Sequence, residues 1–215
     1  SFCPMKRLPG LLAFFSLLPL AHADVSLAPL FTDHAVLQRD KPLPVWGRAD
    51  VGEAVTVQFA GQTRKTTTAS DGRWVVLLDA LPANPQGTDL TVVGKNTLTL
   101  HDLVVGEVWL CSGQSNMEYT VDARAGTWQA NSRVVNAATE IAAANFPLIR
   151  HVRIAQQVAE SPADTVQTGG WQLTTPQTVG GFTAVGYFFA RDIFQKLGVP
   201  VGLVHSSWGG TPVES

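Results

Sequence analysis

The sequence predicts an α/β protein in two parts, a small antiparallel β-sandwich followed by a parallel α/β sheet. Three observations carry this. Short Val-, Thr- and Leu-rich runs separated by turn residues fill the stretch from Asp24 to about Leu103. A nearly continuous apolar run, "LVVGEVWLCSG", then begins at Leu103, the pattern of a strand buried on both faces. After it, helical and strand patterns alternate, as a parallel sheet with crossover helices requires. The expected organisation is a leader over residues 5–23, a β-domain over 24–103 and an α/β domain over 104–215.

The leader rests on three features in order. Met5, Lys6 and Arg7 form a basic start, Leu11–Leu20 is apolar, and "AHA" at Ala21–Ala23 is a small-x-small cleavage pattern. A signal peptide cut after Ala23 is expected, and with it a secreted or periplasmic protein. The apolar run is too short to span a bilayer, which needs about 20 residues, so no membrane span is expected. Formal net charge is −2, with no basic stripe, and nucleic acid is not an expected partner. Cys3 and Cys111 are the two cysteines, and Cys3 would leave with the leader. No internal disulfide is then available, and no His/Cys spacing suits a metal; neither metal nor cofactor is expected. Oligomeric state is not specified by the sequence.

In the first part, strands are expected at Leu43–Gly47, Ala54–Gly61, Arg73–Leu78, Asp89–Gly94 and Asn96–Leu100. "VTVQF" and "TLTL" alternate with period two, as half-buried strands should. Gly61-Gln62, Asp71-Gly72 and Gly94-Lys95-Asn96 supply turns between them. In the second part, Asn131–Ala144 is Ala-rich and helical in pattern, Pro147–Ala155 is a strand, and Gly169–Phe182 is a loop. Ala184–Leu197 is a helix with Val185, Phe188, Phe189, Ile193 and Leu197 as its apolar face. Thr183 can cap its start, and Gly198 with Pro200 stops it. "VPVGLVHSSWGG" (Val199–Gly210) is a further strand running into a glycine loop.

Ligands of open parallel sheets bind at the carboxyl ends of the strands. Two loops leave such ends, Ser112–Met117 and Ser206–Pro212. A serine on the first could lie beside glycine N–H groups on the second, which is the geometry of acyl transfer. Ser115 is the candidate nucleophile; the alternative is a helix cap. The segment is not the G-x-S-x-G elbow, because Met117 stands where the second glycine would be. Gln114 and Asn116 are placed to support the serine loop through backbone hydrogen bonds. His205, at a strand end beside the glycine loop, is the candidate base within this chain; packing at that end is the favoured alternative. Glu118 and Asp122 are expected to be a solvated helix start, and His34, His101 and His151 surface or packing residues. Trp109 is expected in the core, while Trp208 is open between stacking on a sugar and packing beneath its loop.

"VVGEVWLCSGQSNMEYTV" closely resembles the nucleophile segment of sialate O-acetylesterases and related carbohydrate acetylesterases, which are SGNH-type hydrolases. "FTAVGYFFARDI" with "GVPVGLVHSSWGGTPVES" resembles their next block. "LFTDHAVLQRDKPLPVWGRADVGEAVTV" looks like their N-terminal β-domain, so the resemblance covers Leu30–Ser215. It implies an SGNH-type α/β/α hydrolase domain, incomplete in these residues, with an O-acetylated carbohydrate such as sialic acid or acetylated xylan as substrate. It implies Ser115 as nucleophile, with the Ser115 N–H and that of Gly209 or Gly210 in the oxyanion hole; sequence does not choose between the glycines. The family's catalytic His and Asp belong to a later block not found here, so this polypeptide alone is expected to be inactive. The alternative is a non-catalytic, secreted carbohydrate-binding remnant of such an esterase.

Overall fold

The computed structural model describes residues 24–122 and 134–211. The expected leader lies outside them, as do residues 131–133 of the expected first helix. The first strands are β1 (Ser26–Leu27), β2 (Val36–Gln38), β3 (Leu43–Arg48), β4 (Ala54–Phe59), β5 (Gln62–Thr67) and β6 (Arg73–Leu78). Then come β7 (Asn84–Val93), β8 (Thr97–Gly113), α1 (Ser115–Glu118), α2 (Ala137–Ala142) and β9 (Phe146–Arg153). The last are β10 (Gln172–Thr174), α3 (Ala184–Leu197) and β11 (Val201–Ser207). The protein is mixed α/β, mostly strand.

Two sheets contribute to one buried cluster in the first half. β1, β3 and β6 form one antiparallel sheet; β5, β4, β7 and the start of β8 belong to the other. Period-two alternation decides which side chains face inward. Val45 and Leu43 of β3 and Trp74, Val76 and Leu78 of β6 are buried against Val55, Val57, Leu90, Val92 and Leu103. Ala60 and Gly61 have φ of 47° and 77°, so a two-residue turn of the type that matches strand twist joins β4 to β5. β5, "QTRKTT", is a polar edge strand that apolar patterning does not reveal.

The expected strands over 96–100 and from Leu103 onward are one continuous strand, β8. Asp102 has φ of 58° within it. The first part of β8 pairs with β7, and Val104–Gly106 pairs with β2. From Glu107 to Gly113 it runs parallel to β11, which runs parallel to β9 on its far side. Gly106 admits the chain entering β11: a Cβ there would lie 2.0 Å from the Pro200 carbonyl oxygen. The segment expected to be loop from Gly169 to Phe182 contains β10, antiparallel to β9, anchored by Trp171, whose indole donates to the Leu30 carbonyl at 2.9 Å. The helix expected over 131–144 is α2, shorter at Ala137–Ala142, and it starts after left-handed Asn136.

α3 has the expected bounds and both expected ends. Thr183 accepts from the Gly186 N–H, and Gly198 closes the helix at φ 66°. Its buried face differs from the expected stripe. Gly186, Tyr187 and Ala190 face the interior, while Val185, Phe189 and Leu197 are exposed. The reason is distance: a Cβ at Gly186 would lie 3.0 Å from the Cys111 sulfur, so the helix sits too close to the sheet for large side chains there. Phe189 instead meets Trp109 edge-on at 4.9 Å, and Trp109 is 42% exposed rather than core.

Candidate active site

Parallel pairing brings the ends of β8 and β11 together. Ser207 lies opposite Gly113, and the Trp208 N–H donates to the Gly113 carbonyl at 2.9 Å. Gly113 has φ of 129°, where glycine is favoured, and the chain turns there into α1. Ser115 is the first residue of that helix, half-buried. Tyr119 and Val121 bind the segment to α3, donating or accepting backbone bonds with Ala184 and Phe182. The Thr183 hydroxyl also reaches the Met117 sulfur at 3.4 Å.

Gly209 packs directly on the serine. A Cβ at Gly209 would stand 3.5 Å from both Cα and Cβ of Ser115. Gly210 follows in the left-handed region, φ 83°, on the exposed side. Gln114 precedes the helix and its carbonyl accepts from the Met117 and Glu118 N–H groups, both at 3.0 Å. That is backbone support; Asn116 is exposed. Beside these loops lies an open cleft of about 1130 Å³, lined by Ser112–Gln114, Ser206–Trp208 and the segment from Ile154 to Gln167. Ser115 stands next to it rather than among its lining residues.

His205 is buried. Its Nε2 pairs with the Ser207 hydroxyl at 2.6 Å and its Nδ1 with His151 Nε2 at 3.3 Å. Burial, then the neighbouring His205 and Arg153, push the His151 imidazole down to about 3; its ring stacks on Phe182 at 4.3 Å. His34, without an evident partner in sequence, pairs with Asp102 at 2.7 Å.

Glu118 is the residue that sequence reasoning misplaced. It is buried, not solvated, and its carboxylate accepts from the Gly209 N–H at 2.6 Å and from Gln156 Nε2 at 2.9 Å. Those partners lie far away in sequence, so nothing local signals the burial. Asp122 is exposed, but it lies beyond the end of α1 rather than at a helix start.

The fold is shared with a solved carbohydrate acetylesterase from Xanthomonas citri, at a TM-score of 0.81 and 36% identity over 89% of this chain and 42% of that one. Sialate O-acetylesterase of Homo sapiens is 31% identical over 234 residues, 96% of this chain and 42% of that protein. The Rattus norvegicus protein of the same name is 34% identical over 209 residues, 87% of this chain and 36% of that protein. No protein-family model matches. Over nearly its whole length this chain is similar to sialate O-acetylesterases and to a carbohydrate acetylesterase. It spans about two-fifths of the length of the curated relatives it matches.

Proposed function

We propose that the protein is a serine esterase that removes O-acetyl groups from carbohydrates. The observation that carries this is the seat of Ser115 against Gly209, at the carboxyl ends of two paired parallel strands. In this reading the Ser115 oxygen attacks the acetyl carbonyl while its proton passes to a base. The tetrahedral oxyanion is held by backbone N–H groups. Collapse expels the sugar hydroxyl, which takes the proton, and leaves acetyl-Ser115. Water then releases acetate and restores the serine. The Ser115 N–H is one oxyanion donor. The Gly209 N–H is already given to Glu118, which supports Gly210 as the other. Engagement of both His205 nitrogens supports a base other than His205.

The same reading makes the chain a β-sandwich domain over 24–103 followed by an SGNH-type α/β/α hydrolase domain from 104. A cleavable leader ending at Ala23 and a secreted or periplasmic location complete it; the amino-terminal sequence of the exported protein tests them.

The decisive experiment uses the protein expressed from its natural gene, assayed for acetate release from O-acetylated sialic acid and from acetyl-xylan. Activity on one of them, abolished in Ser115→Ala, is expected; full activity in Ser115→Ala refutes the assignment.

A further inference from the structure

Glu118 joins the ends of all three parallel strands. It lies three residues after Ser115, hence on the same face of α1. Its Oε2 takes the Gly209 N–H beyond β11, and its Oε1 takes Gln156 beyond β9. Gln156 also donates to the Ser207 carbonyl at 3.1 Å, and the Arg153 guanidinium stands 3.6 Å from Oε1. The Gly209 peptide is therefore clamped, with Ser115 on one side and a carboxylate on the other. A Cβ at Gly209 would lie 2.7 Å from Oε2, so a side chain there would push the carboxylate away from its place. Hydrogen bonds to a carboxylate are stronger than neutral ones, and an acceptor on a short helix turn holds its donor in a fixed direction.

We propose that Glu118 is a positioning residue for deacetylation. By holding the Gly209 N–H it orients the adjoining peptide, so that the Gly210 N–H is presented to the acyl oxygen on Ser115. The two glycines divide the work: the first N–H anchors the turn, and the second contacts the developing charge. This rests on the reading of Ser115 as nucleophile. An error of about 1 Å in such a donor lowers turnover by about 100-fold.

The test uses the protein expressed from its natural gene, with 4-nitrophenyl acetate as substrate. Glu118→Ala is expected to lower kcat about 100-fold while KM changes little, because the lost interaction acts in the transition state. Glu118→Gln keeps an acceptor oxygen for the Gly209 N–H and is expected to recover most of that loss. Labelling of Ser115 by diethyl 4-nitrophenyl phosphate, whose phosphoryl oxygen uses the same donors, slows in parallel with kcat. Wild-type kcat in a folded Glu118→Ala, or equal losses in the Ala and Gln variants, overturns the proposal. If the alanine variant does not fold, Glu118→Asp decides: withdrawn by one methylene, its carboxylate is expected to lower kcat, and an unchanged kcat overturns the proposal. Retained activity in Ser115→Ala overturns the nucleophile assignment instead, so the two failures are distinguishable.

Discussion

Arg150 offers a quantitative test of how the two halves are joined. Its side chain, on β9, is 3% exposed. Nη1 donates to the His34 carbonyl at 2.9 Å and to the Asp102 carbonyl, Nη2 to the Asp102 carboxylate at 3.0 Å, and Nε to the Pro147 carbonyl at 3.2 Å. His34 and Asp102 both have positive φ, so the guanidinium holds two unusual backbone turns of the first half onto the parallel sheet. Removing one partner of a buried pair costs about 3–5 kcal/mol. Asp102 is 39% exposed, which places Arg150→Ala at the lower end, about 3 kcal/mol. For a chain of this size that is a fall in Tm of about 6–12 °C. Urea unfolding followed by tryptophan fluorescence measures it. Burial alone would raise the Asp102 carboxyl, but His34 and Arg150 outweigh it and hold the group below the usual carboxylate range. The stability this gives is present above the ordinary carboxylate pKa and is lost as pH falls through the lowered one. Arg150→Ala should therefore flatten the acid limb of the stability curve. A loss under about 1 kcal/mol, the worth of one ordinary hydrogen bond, would refute the reasoning.

Three further outcomes are expected. Gly210→Ala meets no neighbour within 4 Å, yet at φ 83° it carries a backbone penalty of about 1–2 kcal/mol, and kcat should fall at least about 10-fold as the turn that aims its N–H relaxes; wild-type kcat would show that the left-handed turn at Gly210 does not aim the oxyanion donor. Burial pushes the Cys111 thiol up to about 11, so in a Cys3→Ser background a disulfide reagent should label it at pH 8 only after denaturation. His151 binds its proton more weakly folded than unfolded, so its contribution is full above the ordinary histidine pKa and is lost as pH falls toward about 3. Stability should decline by about 1.4 kcal/mol per pH unit across that window, and His151→Gln should lessen the decline.

The parts legible in the sequence were those governed by local pattern. α3 has a capping threonine, a helical period and a glycine stop, all within the segment itself. β3, β4 and β6 alternate cleanly because each buries one face. What escaped depends on partners distant in sequence. β5 is polar and owes its place to pairing with β4, and β2 is three residues held by β8. The apolar stripe on α3 named the helix but not its inner face, because the approach at Gly186 favours small residues over large ones. Among the candidate site residues, Ser115 and Gly209 could be paired from their loops. Glu118 could not, since an acid in a first turn looks alike whether it meets water or a backbone N–H 91 residues away.

β8 also bears on how this protein can be taken apart. A cut between residues 103 and 104, where composition changes, would remove Val104 and Val105 from the first core and strip β2 of every residue it pairs with. The piece beginning at 104 would carry those two valines without the neighbours that cover them. The halves are not interchangeable cassettes. A chimera that swaps the β-half with a relative's needs both parents to agree on one strand, from Thr97 to Gly113.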